Sequence, residues 1–155
     1  MVFEIIEAQS EPELIEIRKL FKEYADWLGF DLSFQNFDKE FAELPGKYAP
    51  PDGCLLLAFE NSIAVGCVGI RKFETDICEM KRLYVQPAYR GKDYGRELAQ
   101  QVIDQARKIR YKYMRLDTVP WMNQAIGLYR ALGFYEIPAY RHNPIKGALY
   151  FELKL

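Results

Sequence analysis

The chain lacks an excess of either charge: 21 Lys and Arg stand against 22 Asp and Glu, for a formal net charge of −1. That argues against a nucleic-acid binder, which depends on surplus positive charge. Long apolar runs are also missing, and no stretch approaches the roughly eighteen residues of a membrane span. The opening MVFEIIEAQSEPEL has no basic n-region, so no secretory signal is expected. There is one histidine, no Ser-His-Asp arrangement, no spacing that suits metal ligands and no basic stripe. Cysteines number three, Cys54, Cys67 and Cys78, each inside an apolar, strand-like run. An odd count without ligand spacing reads as buried thiols in a reducing cytoplasm. No repeat, linker or low-complexity segment interrupts the chain.

What is present suits a single globular domain over residues 1–155, with half of the residues apolar and 28% charged. Val2 to Ala8 is a strand candidate. Ser10 offers an N-cap, with Pro12 just inside the helix it opens. Leu14, Ile17, Leu20, Phe21, Tyr24 and Leu28 form its apolar stripe, and Gly29 stops it. Phe30 to Leu44 is aromatic, weakly periodic and expected to hold a second, shorter helix. After the breakers Pro45, Gly46, Pro50, Pro51 and Gly53 come CLLLAFE and IAVGCVGIRKF, two strands joined at Asn61-Ser62 as a tight hairpin. DICEMKRLYV reads as a third antiparallel strand, on which alternation puts Glu79, Lys81, Leu83 and Val85 on one face. A helix from about Tyr94 to Arg110, a strand from Tyr113 to Val119 and a helix from Met122 to Leu132, ended by Gly133, follow. Phe134 to Ile137 and Ala148 to Leu155 close the sheet. The order predicts an α/β (α+β) domain with a mixed, mostly antiparallel sheet flanked by helices.

The stretch QPAYRGKDYGREL, Gln86 to Leu98, joins a strand to a helix through Gly91 and Gly95. Backbone N–H groups and the dipole at such a helix start favour an anion, and Arg90 and Lys92 add charge. A plain strand–helix turn carries the same glycines, so the surroundings decide. A carboxylate (Glu79), a phosphate-type turn and a phenol (Tyr129, in NQAIGLYRALGF) fall in three consecutive supersecondary units.

This combination resembles the GNAT N-acetyltransferase family over about Asp76 to Phe134. The family's acetyl-CoA loop runs Gln/Arg-x-x-Gly-x-Gly/Ala; Arg90 fills its first position and Gly95 its last, while Asp93 replaces the usual middle glycine. The family's Asn-x-x-Ala-x-x-Leu-Tyr-x-x-x-Gly-Phe is matched by Asn123, Ala125, Leu128, Tyr129, Gly133 and Phe134, with a one-residue shift between Asn123 and Ala125. Asp tolerates left-handed backbone angles better than most residues. A carboxylate about 6 Å from a phosphate costs on the order of 2–3 kcal/mol at an effective dielectric near 20, and below about 1 kcal/mol if turned to water.

The resemblance implies transfer of an acetyl group from acetyl-CoA to an amine by direct attack. Acetyl-CoA would lie where Asp76 to Val85 and Tyr113 to Val119, as parallel neighbours, splay apart. Arg90, Gly91, Lys92, Asp93, Tyr94 and Gly95 would hold its phosphates. The backbones of Leu83 and Val85 would take the pantetheine arm, with an N–H near Leu83 on the oxyanion. Asn123 would contact the cofactor, or serve as a helix cap. A lysine-like amine is less than about one part in a thousand neutral at pH 7, so a base helps. Glu79 is the candidate, its plain alternative being a solvated carboxylate paired with Lys81 or Arg82. Tyr129 would protonate the departing thiolate, or else be a core tyrosine.

On the acceptor side, Tyr140, Arg141 and His142 border the expected site, and Tyr24, Trp27, Phe30, Phe34 and Phe37 either wall it or belong to the core. A small-molecule amine acceptor is expected, with no nucleic-acid or membrane partner and no metal. The oligomeric state stays open, a homodimer included. Two other readings remain: a catalytically silent CoA-binding sensor of the same fold, and a structural domain with an empty cleft.

Overall fold

A computed structural model describes residues 2–29 and 37–155. Seven strands, β1 (Phe3–Glu7), β2 (Cys54–Glu60), β3 (Ile63–Glu74), β4 (Ile77–Val85), β5 (Tyr113–Thr118), β6 (Tyr135–Ile137) and β7 (Leu149–Lys154), form one sheet in the order β1-β2-β3-β4-β5-β7-β6. Among the described residues only β4 and β5 pair in parallel. The helices are α1 (Glu11–Leu28), α2 (Phe37–Glu43), α3 (Tyr94–Ile109) and α4 (Asn123–Ala131). The mixed, mostly antiparallel architecture is the one the element order predicts. Phe30 and Phe34 lie outside the described residues.

Local chemistry sets the boundaries. Ser10 and Glu13 form a reciprocal capping box at the start of α1, and Gly29 ends the helix at φ 75°. Asn61 and Ser62 both take positive φ, 49° and 68°, which is the two-residue turn whose twist matches the strands it joins. Asn123, by contrast, is the first residue of α4 and gives no side-chain cap.

The sheet carries a core on each face. Cys54, Leu56, Ala58, Val68, Ile70, Cys78 and Met80 meet Leu98, Val102, Ile103 and Ala106 of α3 on one side. Leu55, Leu57, Cys67 and Tyr84 meet Leu14, Ile17, Leu20 and Phe21 of α1 on the other. Gly66 lets α3 approach β3 closely, since a Cβ there would stand 3.0 Å from the Tyr84 carbonyl and 3.1 Å from Leu98.

One irregularity governs the site. Cys67 faces Tyr84 while Gly69 faces Lys81, so two residues of β3 span three of β4. The extra residue falls at Arg82, which takes φ 61°. Such a bulge bends the strand and shifts its phase by one. Before it, Cys78 and Met80 face α3; after it, Leu83 and Val85 do, while Tyr84 faces α1. The expected single face of Glu79, Lys81, Leu83 and Val85 is therefore corrected. Glu79 and Lys81 lie on the opposite face from Leu83 and Val85, because simple alternation does not survive the bulge.

Candidate active site

β4 and β5 stay together for three pairs only, Ile77–Tyr113, Cys78–Met114 and Glu79–Arg115, and then part as β4 bends at Arg82. The parted ends open a cleft of about 770 Å³, lined by Leu83 and Val85, by the loop residues Arg90, Gly91, Asp93, Tyr94 and Gly95, and by Asn123, Trp27 and Trp121. Eight of the sequence-predicted cofactor residues thus come together on one cleft. Gly91 takes φ 83°, and Asp93 takes φ 64°, ψ 15° as the residue before α3, its exposed carboxylate capping nothing. The loop keeps the left-handed turn that a glycine would give, and the residue before α3 makes no side-chain capping hydrogen bond.

Two predicted residues stand apart from this cleft. Lys92 reaches away to Glu60 at 2.8 Å, the same oxygen that accepts from the Tyr94 hydroxyl. Tyr129 lines a second, small cavity of about 30 Å³ in the gap between the strands, with Tyr24, Lys81, Asp117, Thr118 and Met122. Leu83 and Met122 line both spaces, so the two are neighbours. The Tyr129 phenol is buried, and burial, reinforced by Tyr24 and Asp117, raises its pKa well above the ordinary value. It is a neutral donor at working pH.

Glu79 is 1% exposed. Its Oε2 accepts from the Tyr140 hydroxyl at 2.7 Å and lies 3.1 Å from Nη1 of Arg141, while its Oε1 faces Arg71 at 3.3 Å. Arg71 continues to Glu40 at 3.4 Å, and Glu40 pairs with Arg82 at 3.0 Å. Burial alone would raise the Glu79 pKa, yet Lys81, Arg141, Tyr140 and Arg71 together hold it below the ordinary range. Tyr140 and Arg141 are thereby tied to the sheet, whereas His142 is exposed. Trp27 carries the Arg90 guanidinium 4.6 Å above its ring, and Phe37 lies 5.2 Å below that of Arg82.

Lys81 was visible in the sequence only as a partner for Glu79. Its side chain is 3% exposed, and its Nζ stands 3.9 Å from Oδ1 of Asp117, itself 3% exposed. That exceeds hydrogen-bond length, and the described residues give Nζ no hydrogen bond. The available signal was a lysine flanked by Glu79 and Arg82 in the middle of a strand, next to the parting point.

Comparison with known proteins agrees with this geometry. The model of the "Acetyltransferase (GNAT) family" matches residues 14–134. An uncharacterized N-acetyltransferase of Schizosaccharomyces pombe is 40% identical, the match covering 92% of this chain and 89% of the relative. The chain belongs to the GNAT acetyltransferase family. Its fold is shared by a GNAT acetyltransferase from Staphylococcus aureus (TM-score 0.81, 19% identity, 99% of both chains covered). It is shared too by the PaiA N-acetyltransferase of Thermoplasma acidophilum, solved with coenzyme A (TM-score 0.76, 20% identity, 100% of both chains covered). Among the described residues no helix is long and apolar enough to cross a membrane, and no group of His, Cys, Asp and Glu is arranged to hold a metal ion.

Proposed function

We propose that this protein transfers the acetyl group of acetyl-CoA to a primary amine by direct attack, and that the amine is a small molecule. The observation that carries the reading is the parting of β4 from β5 beside the Arg90–Gly95 loop, with Tyr129 in the gap. Acetyl-CoA is the cosubstrate. Its phosphates lie against the loop and the start of α3, where backbone N–H groups and the helix dipole favour an anion. The pantetheine arm runs along the backbones of Leu83 and Val85, with Asn123 at its side, and the thioester enters the gap.

There Tyr129 supplies a proton to the leaving thiolate, a role that suits a buried phenol kept neutral. Hydrogen bonds from Tyr140 and Arg71, with the Arg141 ion pair, occupy both oxygens of Glu79 and favour a positioning role for it over that of a free base. The narrow gap, about 30 Å³ beside Lys81 and Tyr129, favours a slender acceptor over a bulky one.

Thermal unfolding with and without acetyl-CoA tests the reading. A hundredfold excess over the dissociation constant stabilises by about 2.7 kcal/mol, a rise of roughly 5–10 °C for a domain of this size. Release of free thiol with a panel of small primary amines then tests transfer. Neither a shift nor thiol release would leave only the structural reading, and a shift without release would leave the silent CoA-binding one.

A further inference from the structure

We propose that Lys81 is the catalytic proton acceptor of the transfer, its side-chain amine taking a proton from the acceptor's ammonium group in the gap between β4 and β5. The proposal rests on the acetyl-transfer reading and names the base within it.

Placement is the first argument. The Arg82 bulge sets Lys81 on the face opposite Leu83 and Val85, so the amine and Tyr129 border the gap from opposite sides of the sheet and line one cavity. A thioester entering from the cofactor cleft would point its sulfur toward Tyr129 and meet an acceptor arriving on the Lys81 side. The cavity, about 30 Å³, is large enough for an ammonium head or one bridging water.

The second argument is electrostatic. The Lys81 side chain is 3% exposed, and its ammonium has only an ion pair at 3.9 Å with Asp117 and no hydrogen bond among the described residues. The charged form therefore gains less than it would in water, and a neutral amine is tolerated. The charged and titratable groups around Lys81 are Glu79 and Arg82 on its own strand, Asp117 on β5, Arg141 after β6, Tyr24 on α1 and Tyr129 on α4. Burial, the largest influence, outweighs the support of Glu79 and Asp117, and with Arg82 and Arg141 it pushes the pKa down to about 8. A base that titrates near working pH transfers protons most effectively. Glu79 does not meet that condition, being held anionic with both oxygens engaged.

The step balances. Neutral Lys81 takes one proton from the acceptor ammonium; the freed amine attacks the thioester carbonyl, forming the C–N bond. The C–S bond breaks and its electron pair leaves on sulfur. The second proton of the new nitrogen passes through Tyr129 to the thiolate, and Lys81 returns its proton to solvent.

Thiol release from acetyl-CoA separates the outcomes, with ethylamine, an ammonium ion at neutral pH, and methoxyamine, which is already neutral there. Lys81→Met and Lys81→Arg should both lose about 10²-fold or more with ethylamine and far less with methoxyamine. Arginine keeps the charge and cannot give up its proton in a protein. The wild-type ethylamine rate should bend at pH about 8, whereas the variants should rise without that bend, following the ionisation of the amine itself. Wild-type turnover of ethylamine by Lys81→Arg would make Lys81 a fixed charge and overturn the proposal. An acetyl group found on Lys81 by peptide mass would overturn it as well. If a variant fails to fold, the wild-type pH profile decides, and a profile with no bend near pH 8 overturns the proposal. A wild type inert toward both amines also overturns it, and the acetyl-CoA melting shift then tells whether the acetyl-transfer reading has fallen with it.

Discussion

The Nε–H of Arg90 donates to the carbonyl of Val85 at 2.9 Å, so the first residue of the cleft-lining loop is bonded to the last residue of the bent strand. The same guanidinium lies 4.6 Å over Trp27 and 5.7 Å over Tyr84. Strand, loop and the end of α1 are thereby held in one arrangement at the cleft mouth. A carbonyl has two lone pairs, so this bond leaves Val85 able to accept from a pantetheine amide as well.

Arg90→Ala removes a cation–π contact worth about 0.5–1 kcal/mol at an exposed site and one charged hydrogen bond. The melting curve should report a loss of about 1–2 kcal/mol. Acetyl-CoA affinity should fall at low salt and approach the wild-type value at high salt, because an exposed charge is screened. Arg90→Lys should keep part of the affinity and little of the stability. Calorimetric titration at two ionic strengths checks this; a salt-independent loss would mean that Arg90 acts through loop shape alone.

Asp93 fills a left-handed position, φ 64°, with an exposed carboxylate. Turned to water, that charge opposes a phosphate by less than about 1 kcal/mol. Asp93→Gly should therefore tighten acetyl-CoA binding by at most about fivefold and leave the melting temperature nearly unchanged. Asp93→Ala keeps the backbone strain without Asp's tolerance for it, and should destabilise by about 1 kcal/mol.

The hairpin at Asn61-Ser62, the capped α1 and the cleft-lining loop were legible because each depends on local chemistry. The bulge was not. Arg82 is neither glycine nor asparagine, and nothing in CEMKRLYV marks the residue at which β4 gains its positive φ. Alternation then placed Lys81 on the wrong side of Leu83, and its burial beside Asp117 depends on a parallel neighbour more than thirty residues away in sequence. The triple tether on Glu79 was equally hidden, since Arg71, Tyr140 and Arg141 reach it from two other segments. Lys92, read as a phosphate ligand, is diverted by Glu60 from the far end of β2.

Burial pushes the Cys54 and Cys78 thiols up to about 12 and raises that of Cys67 further. All three should be inert to aromatic disulfide reagents in the native protein and react together on unfolding, because the thiolate is the reactive form. Fast labelling of the folded chain would contradict their burial.

Removing the Tyr129 hydroxyl takes away no hydrogen bond that the described residues make, so Tyr129→Phe should change stability by less than about 1 kcal/mol. Its place outside the main cleft predicts an unchanged affinity for acetyl-CoA. Turnover should fall by about 10²-fold. A raised dissociation constant with normal turnover would place the phenol in cofactor binding.

Glu79→Gln tests stability and mechanism together. Breaking a buried ion pair costs about 3 kcal/mol or more, equivalent to roughly 6–12 °C for a chain of this length. Because the folded pKa of Glu79 lies below its ordinary value, the stability it contributes is full above the ordinary carboxylate range. It is lost as pH falls through the lowered folded value. The melting curves of wild type and variant should therefore converge in acid. Glu79 also supports the protonated form of Lys81, so losing it should move the rising limb of the rate profile to lower pH. A limb that moves down identifies Lys81 as the titrating base and Glu79 as the group that positions it. A limb that vanishes, with turnover lost at every pH, would return the proton-accepting role to Glu79.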